Sequence, residues 1–171
     1  AITRLVIDQV RLLVLASHVF ADAAEDPFVD HLQRRSMQAS QLATQIAAGG
    51  KPQAATAALL ARIGLLVHDL RDNAGQEAKT GCDTPLQAAV GAYLLALWGL
   101  PMDIVDAVAR HTHPGRTAAT GFGLAGAVHV AVALANGQPP DLAYLEHTGV
   151  LDQWPHWQAS NAALTPDPDD D

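Results

Sequence analysis

The chain has 171 residues, of which 49% are apolar and 16% charged, so it is long enough for one domain with its own core. Its net charge of −8 argues against nucleic acid as a partner, and no apolar run is long enough to span a membrane. Cys82 is the only cysteine, so no internal disulfide can form, and a reducing compartment such as the cytoplasm is expected. Frequent Ala and Leu with few aromatic residues predict an all-α protein.

Helical periodicity predicts the first elements in chain order. Thr3–Ala21 is expected to form a largely buried helix, and a chain that begins inside such a pattern suggests the C-terminal part of a longer protein. Pro27–Ala48 is the next helix, and Arg35 lies on its apolar stripe, where it either extends to water or belongs to a pocket. Ala54–Leu70 predicts one continuous central helix because no Pro or β-branched run interrupts it.

The second half carries clear helix start and stop signals. Thr84, Pro85 and Gln87 predict a capping box at the start of a helix that ends at Trp98, whose side chain we expect to be largely buried. The remaining helices are predicted over Met102–His111, Ala118–Ala135, Asp141–His147 and Asp152–Ser160. The domain therefore spans residues 1–160, and residues 161–171 are expected to form a disordered acidic tail.

Several segments together resemble the HDOD-type output domains of bacterial response regulators, which belong to the HD superfamily. The most specific is Gly91–Pro114, which contains the run WGLP. The others are Ile7–Phe20, Leu32–Ala47, Ala58–Val67 and Ala127–Gly137. The resemblance extends from about residue 3 to residue 158 and implies an HD/HDOD-like bundle of about six to eight helices.

The chain departs from the HD superfamily at the positions that bind metal. Active members hold one or two divalent metals with a His, a His-Asp pair, further His residues and a final Asp, and these metals activate a water against a phosphate ester. The resemblance aligns those positions with Arg35, Ala61-Arg62, Gln87 and Val132, while His111 can belong to a His-His pair as Arg110-His111 or as His111-Thr112. Because arginines repel a metal ion, the resemblance implies no metal, no cofactor and no hydrolase activity.

The candidate site is therefore a metal pocket that has lost its ligands. Its residues are Arg35, Arg62, Gln87, Arg110, His111 and His113. His68-Asp69 is out of register with the lost pair and is interpreted as the polar end of a helix. We expect Arg35 and Arg62 to approach each other near His111, and two guanidinium groups cannot relieve their repulsion by losing a proton. The neutralising group is either a carboxylate of Asp69, Asp103 or Asp106, or a bound anion such as phosphate.

These features favour a non-catalytic regulatory or output domain that acts through contact with a protein partner, with a homodimer as one candidate assembly and no nucleic acid or membrane partner. Two alternatives stay open. The first is a metal-dependent phosphohydrolase with an unusual ligand set, and the second is a sensor that binds a phosphate-bearing ligand without cleaving it.

Overall fold

A computed structural model describes residues 27–47, 52–67, 83–116 and 121–164, and this part of the chain is all α. Its seven α-helices are α1 Pro27–Ile46, α2 Pro52–Leu60, α3 Pro85–Leu97, α4 Met102–Arg110, α5 Leu124–Ala135, α6 Leu142–His147 and α7 Trp154–Leu164. Short 3₁₀ helices occupy Ile63–Leu66, Pro114–Arg116 and Leu151–Gln153. The all-α prediction is confirmed. The predicted helix at Thr3–Ala21, the His68-Asp69 pair, Cys82 and residues 165–171 lie outside the described residues.

The helix starts that depend on local capping are confirmed. The Thr84 hydroxyl accepts a hydrogen bond from the Gln87 backbone N–H at 3.3 Å, and the Gln87 side chain accepts one from the Thr84 N–H at 2.9 Å, which completes the capping box of α3. Asp141 caps α6 by accepting from the Tyr144 N–H at 3.0 Å. Gly99, at φ 77°, ends α3 in a conformation that favours glycine.

The prediction of one central helix over Ala54–Leu70 is wrong, because α2 ends at Leu60 and a 3₁₀ helix follows after a turn. The physical reason is a contact with α3. Gly64 lies so close to α3 that an added Cβ would stand 2.2 Å from the Gln87 carbonyl oxygen and 3.1 Å from the Gly91 nitrogen. The bend allows this backbone contact, and it places Arg62 at the turn, beside the start of α3.

Two other boundaries differ from the prediction. Residues 121–123 precede the helix, so α5 begins at Leu124 and not at Ala118. The last helix continues to Leu164, although loss of structure was predicted from Asn161. Asn161 holds this end of α7 on the body, because its side chain accepts from Gln38 Nε2 at 2.8 Å and donates to the Leu134 carbonyl at 3.4 Å.

The core lies where α1 packs on α2 and α5, and where α4 packs on α2, α3 and α5. Its largest fully buried side chains are Leu42, Leu95, Leu145, Val108, Val128 and Val130. Trp98, the C-cap of α3, is partly buried and packs against the edge of this core. None of the described helices is long and apolar enough to cross a bilayer.

Candidate functional site

The centre of the candidate site is a buried ion pair between Arg62 and Asp83. Arg62 Nε donates to Asp83 Oδ1 at 2.7 Å, and the side chains are 12% and 7% exposed. Arg62 lies in the turn after α2, and Asp83 directly precedes the Thr84 cap of α3. The pair therefore joins the bend in the predicted central helix to the start of the next helix.

His111, at the C-terminal end of α4, contacts the same carboxylate. Its Nδ1 donates to the Val108 carbonyl at 2.7 Å, and its Nε2 lies 3.4 Å from Asp83 Oδ2. The ring therefore bridges the end of α4 and the Asp83 carboxylate. Asp83 thus receives a guanidinium on one oxygen and an imidazole on the other.

The C-terminal end of α5 completes the cluster and receives both arginines that the sequence singles out. Arg62 Nη1 donates to Asn136 Oδ1 at 2.8 Å, and Asn136 Nδ2 donates to the Val132 carbonyl at 2.8 Å. Arg35 Nη1 donates to the Ala135 carbonyl. A helix C-terminus carries partial negative charge, so it stabilises nearby guanidinium groups.

Opposing effects act on the pKa of Asp83. Burial raises this pKa, while the hydrogen bond from His111 and the charge of Arg62 lower it. The lowering effects outweigh burial, so the pKa of Asp83 lies below its ordinary value and the carboxylate is ionised at neutral pH. The charge of Arg62 is therefore balanced by a carboxylate of the same chain.

His129, on α5, links this cluster to the start of α6. Its Nδ1 donates to the His111 carbonyl at 2.7 Å, and its Nε2 accepts from the Asp141 backbone N–H at 2.8 Å. These two bonds require the neutral ring. Burial also lowers the pKa of His129, against a smaller opposing effect of the hydrogen bond with His111, so geometry and desolvation both favour the neutral form.

A small cavity of about 70 Å³ borders the cluster, with Asp83, His111, His129, Val132 and Asn136 in its wall. That volume suits water molecules and is well below the several hundred Å³ of a pocket for a drug-sized ligand. The cavity therefore offers no room for a nucleotide beside the ion pair.

The structure brings together only some of the predicted site residues. Arg62 and His111 meet at Asp83, and Arg35 joins them at the end of α5. Gln87 is buried, but its side chain is used in the capping box.

Two predicted site residues lie outside the cluster. Arg110 is exposed and pairs with Asp106 at 3.4 Å. His113 is also exposed and contacts Thr112 at 3.2 Å. Residue 111 points inward from the end of α4, whereas its neighbours at 110 and 113 face solvent.

Sequence reasoning missed Asp83 and Asn136. The predicted neutralisers Asp103 and Asp106 are exposed, and Asp69 lies outside the described residues. The available signal for Asp83 was its position directly before a strong helix cap, where a carboxylate can reach into the interior. Asn136 carries no such signal, because its side-chain contact with Arg62 joins residues far apart in the chain.

The family model described as HDOD domain matches residues 1–114 of the 171 in the chain. The protein belongs to the HDOD domain family. No curated protein and no solved structure matches the chain. The matched part of this HDOD domain contains Arg62, Asp83 and His111, while Asn136 and His129 lie beyond it.

Among the residues that the structure describes, those of the site do not fit the divalent metal that the HD superfamily implies. No group of three or more His, Cys, Asp or Glu side chains in the described part of this HDOD domain is arranged to hold a metal ion. Asp83 is the buried carboxylate of the site, and a guanidinium already occupies its Oδ1 atom. A cation placed there would lie next to the positive charge of Arg62, which cannot be removed at neutral pH.

Proposed function

We propose that this HDOD domain is a non-catalytic regulatory module that acts through contact with a protein partner, as an output domain of a bacterial, response-regulator-like signalling protein in the cytoplasm. The observation that carries the proposal is the buried Arg62–Asp83 pair, with His111 on the second carboxylate oxygen. Metal-assisted hydrolysis needs ligand atoms with free lone pairs around an open coordination position. Here the Asp83 carboxylate accepts from Arg62 on one oxygen and contacts His111 of the same chain with the other.

The same contacts argue against the sensor alternative. Arg62 already donates to Asp83 and Asn136, and Arg35 donates to the Ala135 carbonyl. A phosphate would have to displace these internal partners. It would also have to fit next to the Asp83 carboxylate, which repels an anion.

The first test is metal content and hydrolysis. The protein, purified without a His tag, should contain far less than one equivalent of manganese, iron or zinc by elemental analysis. It should not hydrolyse bis-(p-nitrophenyl) phosphate above the buffer rate with added Mn²⁺ or Fe²⁺. One equivalent of bound metal together with hydrolysis would instead support the phosphohydrolase alternative.

The second test separates the regulatory module from the sensor. Thermal melts with phosphate, pyrophosphate or nucleotides should match melts in sodium chloride at equal ionic strength. Arg35→Gln is the informative variant, because Arg35 is half-buried and outside the buried ion pair. A stabilisation by one of these anions that Arg35→Gln removes would support the sensor alternative and contradict the proposal.

A further inference from the structure

The C-terminal end of α5 carries a chemically labile pair of residues. Asn136 is followed by Gly137, and this is the only Asn–Gly sequence in the chain. In such a sequence the backbone nitrogen of the glycine can attack the side-chain amide of the asparagine, because glycine has no side chain that hinders the approach. Asparagine is for this reason among the thermolabile residues of proteins. A labile sequence therefore lies inside the candidate functional site.

Both residues of the pair have a structural role, which explains why the labile sequence occurs here. Gly137 has a φ of 69°, and its N–H donates to the Leu134 carbonyl at 3.0 Å. The Gln138 N–H donates to the Ala133 carbonyl at 2.8 Å, which completes a Schellman motif, and the residue after the C-cap of such a motif is usually glycine. Asn136 supplies the side-chain amide of the buried cluster.

The folded geometry keeps the two reacting groups apart. Asn136 has a ψ of 2°, so the Gly137 nitrogen eclipses the Asn136 backbone nitrogen and lies away from the Cβ that carries the amide. The hydrogen bond to the Leu134 carbonyl holds the Gly137 nitrogen in this position. The amide is held at both ends, because Oδ1 accepts from Arg62 Nη1 at 2.8 Å and Nδ2 donates to the Val132 carbonyl at 2.8 Å. Attack therefore requires rotation about ψ and loss of these hydrogen bonds.

We propose that Asn136–Gly137 is a site of spontaneous deamidation, which the folded cluster suppresses and which opening of the C-terminal end of α5 releases. The Gly137 nitrogen loses its proton to solvent and forms a bond to Asn136 Cγ. The Cγ–Nδ2 bond breaks, and the departing nitrogen takes up a proton from solvent and leaves as ammonia. Water then opens the cyclic imide at either of its two carbonyl groups, which yields aspartate or isoaspartate. The inference does not depend on the proposed function.

The products do not fit the folded end of α5. A carboxylate at position 136 has no hydrogen to donate to the Val132 carbonyl. It also adds a negative charge near Asp83, since both side chains contact the Arg62 guanidinium. Isoaspartate in addition carries the main chain through the β-carbon, which displaces Gly137 relative to α5. Deamidation should therefore mark irreversibly those molecules in which this end of α5 has opened.

Peptide mapping by mass spectrometry measures the reaction. The intact chain is incubated at mildly alkaline pH, either folded in buffer or unfolded in guanidinium chloride. Deamidation at Asn136 should be at least about tenfold slower in the folded chain, because a local opening free energy of about 1.4 kcal/mol already gives that ratio. Asn161, which precedes Ala162, is the internal control and should react slowly in both states. Equal rates at Asn136 in the two states, or a rate in the unfolded chain no higher than that of Asn161, would overturn the proposal.

The variant Arg62→Lys tests whether the cluster itself supplies the protection. Lysine keeps a positive charge for Asp83 but lacks the fork of donors with which Arg62 contacts Asp83 and Asn136 together. In the folded variant, which circular dichroism identifies, deamidation at Asn136 should be several-fold faster than in wild type. The control Arg110→Lys alters only the exposed pair with Asp106 and should react at the wild-type rate.

An equal rate in Arg62→Lys and Arg110→Lys would overturn the protective role of the cluster. The comparison of folded and unfolded wild-type chain does not require either variant to fold, so it decides the proposal by itself. Neither result changes the expected outcome of the metal, hydrolysis or anion measurements, so the proposed function and this inference can fail separately.

Discussion

The buried cluster of Arg62, Asp83 and His111 and the solvent-facing side of α3 reverse the usual distribution of side chains, in which charged groups are exposed and apolar groups are buried. Arg62, Asp83 and His111 place charged and polar groups in the interior, where the side chains are at most 12% exposed. On α3, which begins two residues after Asp83, Tyr93 and Leu97 leave about two thirds of their surface in water. The contrast shows that burial in the described part of the chain follows pairing rather than residue type, since the buried charges have partners there, whereas these apolar side chains of α3 stay exposed.

The largest expected effect is loss of the central carboxylate. Asp83→Ala leaves the Arg62 guanidinium buried without its counter-charge, which should lower the free energy of unfolding by about 3–5 kcal/mol. Urea unfolding measures it. The control is Asp106→Ala, which breaks an exposed pair with Arg110 and should cost at most about 1 kcal/mol. Equal losses in the two variants would remove the distinction between buried and exposed pairs.

The next largest effect comes from a comparison of two leucines on α3, one buried and one exposed. Leu95 is fully buried and Leu97 is 64% exposed, so the two positions differ in environment and not in chemistry. Leu95→Ala should destabilise by about 2–5 kcal/mol. Leu97→Ala should stay within about 0.5 kcal/mol of wild type. A large loss at Leu97 would show that another part of the chain covers this side of α3.

Removing both partners of the ion pair should be milder than removing one. Arg62→Met combined with Asp83→Leu removes both charges of the pair, so neither is left buried without its partner. We expect a loss of about 1–2 kcal/mol, well below that of Asp83→Ala. A double variant as unstable as the single one would show that the cluster stabilises through a geometry that apolar side chains cannot replace.

The smallest effect is a pH dependence centred on His129. Its pKa in the folded state lies below 6.5, so the unfolded chain binds more protons once the pH falls below about 6.5. Stability should therefore decrease as the pH drops from 6.5 towards the folded pKa, with a slope of at most about 1.4 kcal/mol per pH unit for one proton. Urea unfolding at several pH values measures this slope.

His129→Gln should flatten most of the slope, whereas His113→Gln, which alters an exposed ring, should leave it unchanged. A smaller part should persist in both variants, because burial and neighbouring arginine charges also lower the pKa of the exposed His31. An identical slope in His129→Gln and wild type would contradict the assignment to His129.

The sequence predicted those parts of the fold that depend on nearby residues. The Thr84–Gln87 capping box and the Asp141 cap span three residues each, so local pattern is enough to find them. The break after Leu60 could not be predicted in this way. It follows from a backbone contact between Gly64 and α3, and a lone glycine in an apolar run does not reveal its distant neighbour.

The candidate site was predicted in part for the same reason. The resemblance to the HD superfamily drew attention to Arg35, Arg62 and His111, and the structure places all three around the end of α5 or beside Asp83. The partners were missed because Arg62 is 21 positions from Asp83 and 74 from Asn136. A charge on an apolar helix shows that a partner is required, but the sequence alone does not show which residue supplies it.

The Arg62–Asp83 pair also constrains how this sequence can diverge. A single change at either position leaves an unmatched charge in the interior, whereas a paired change passes without that penalty. Related sequences with this packing should therefore keep both residues or replace both, and intermediates with one alone should be rare. Positions 62 and 83 are therefore expected to co-vary among related sequences, although they are 21 residues apart.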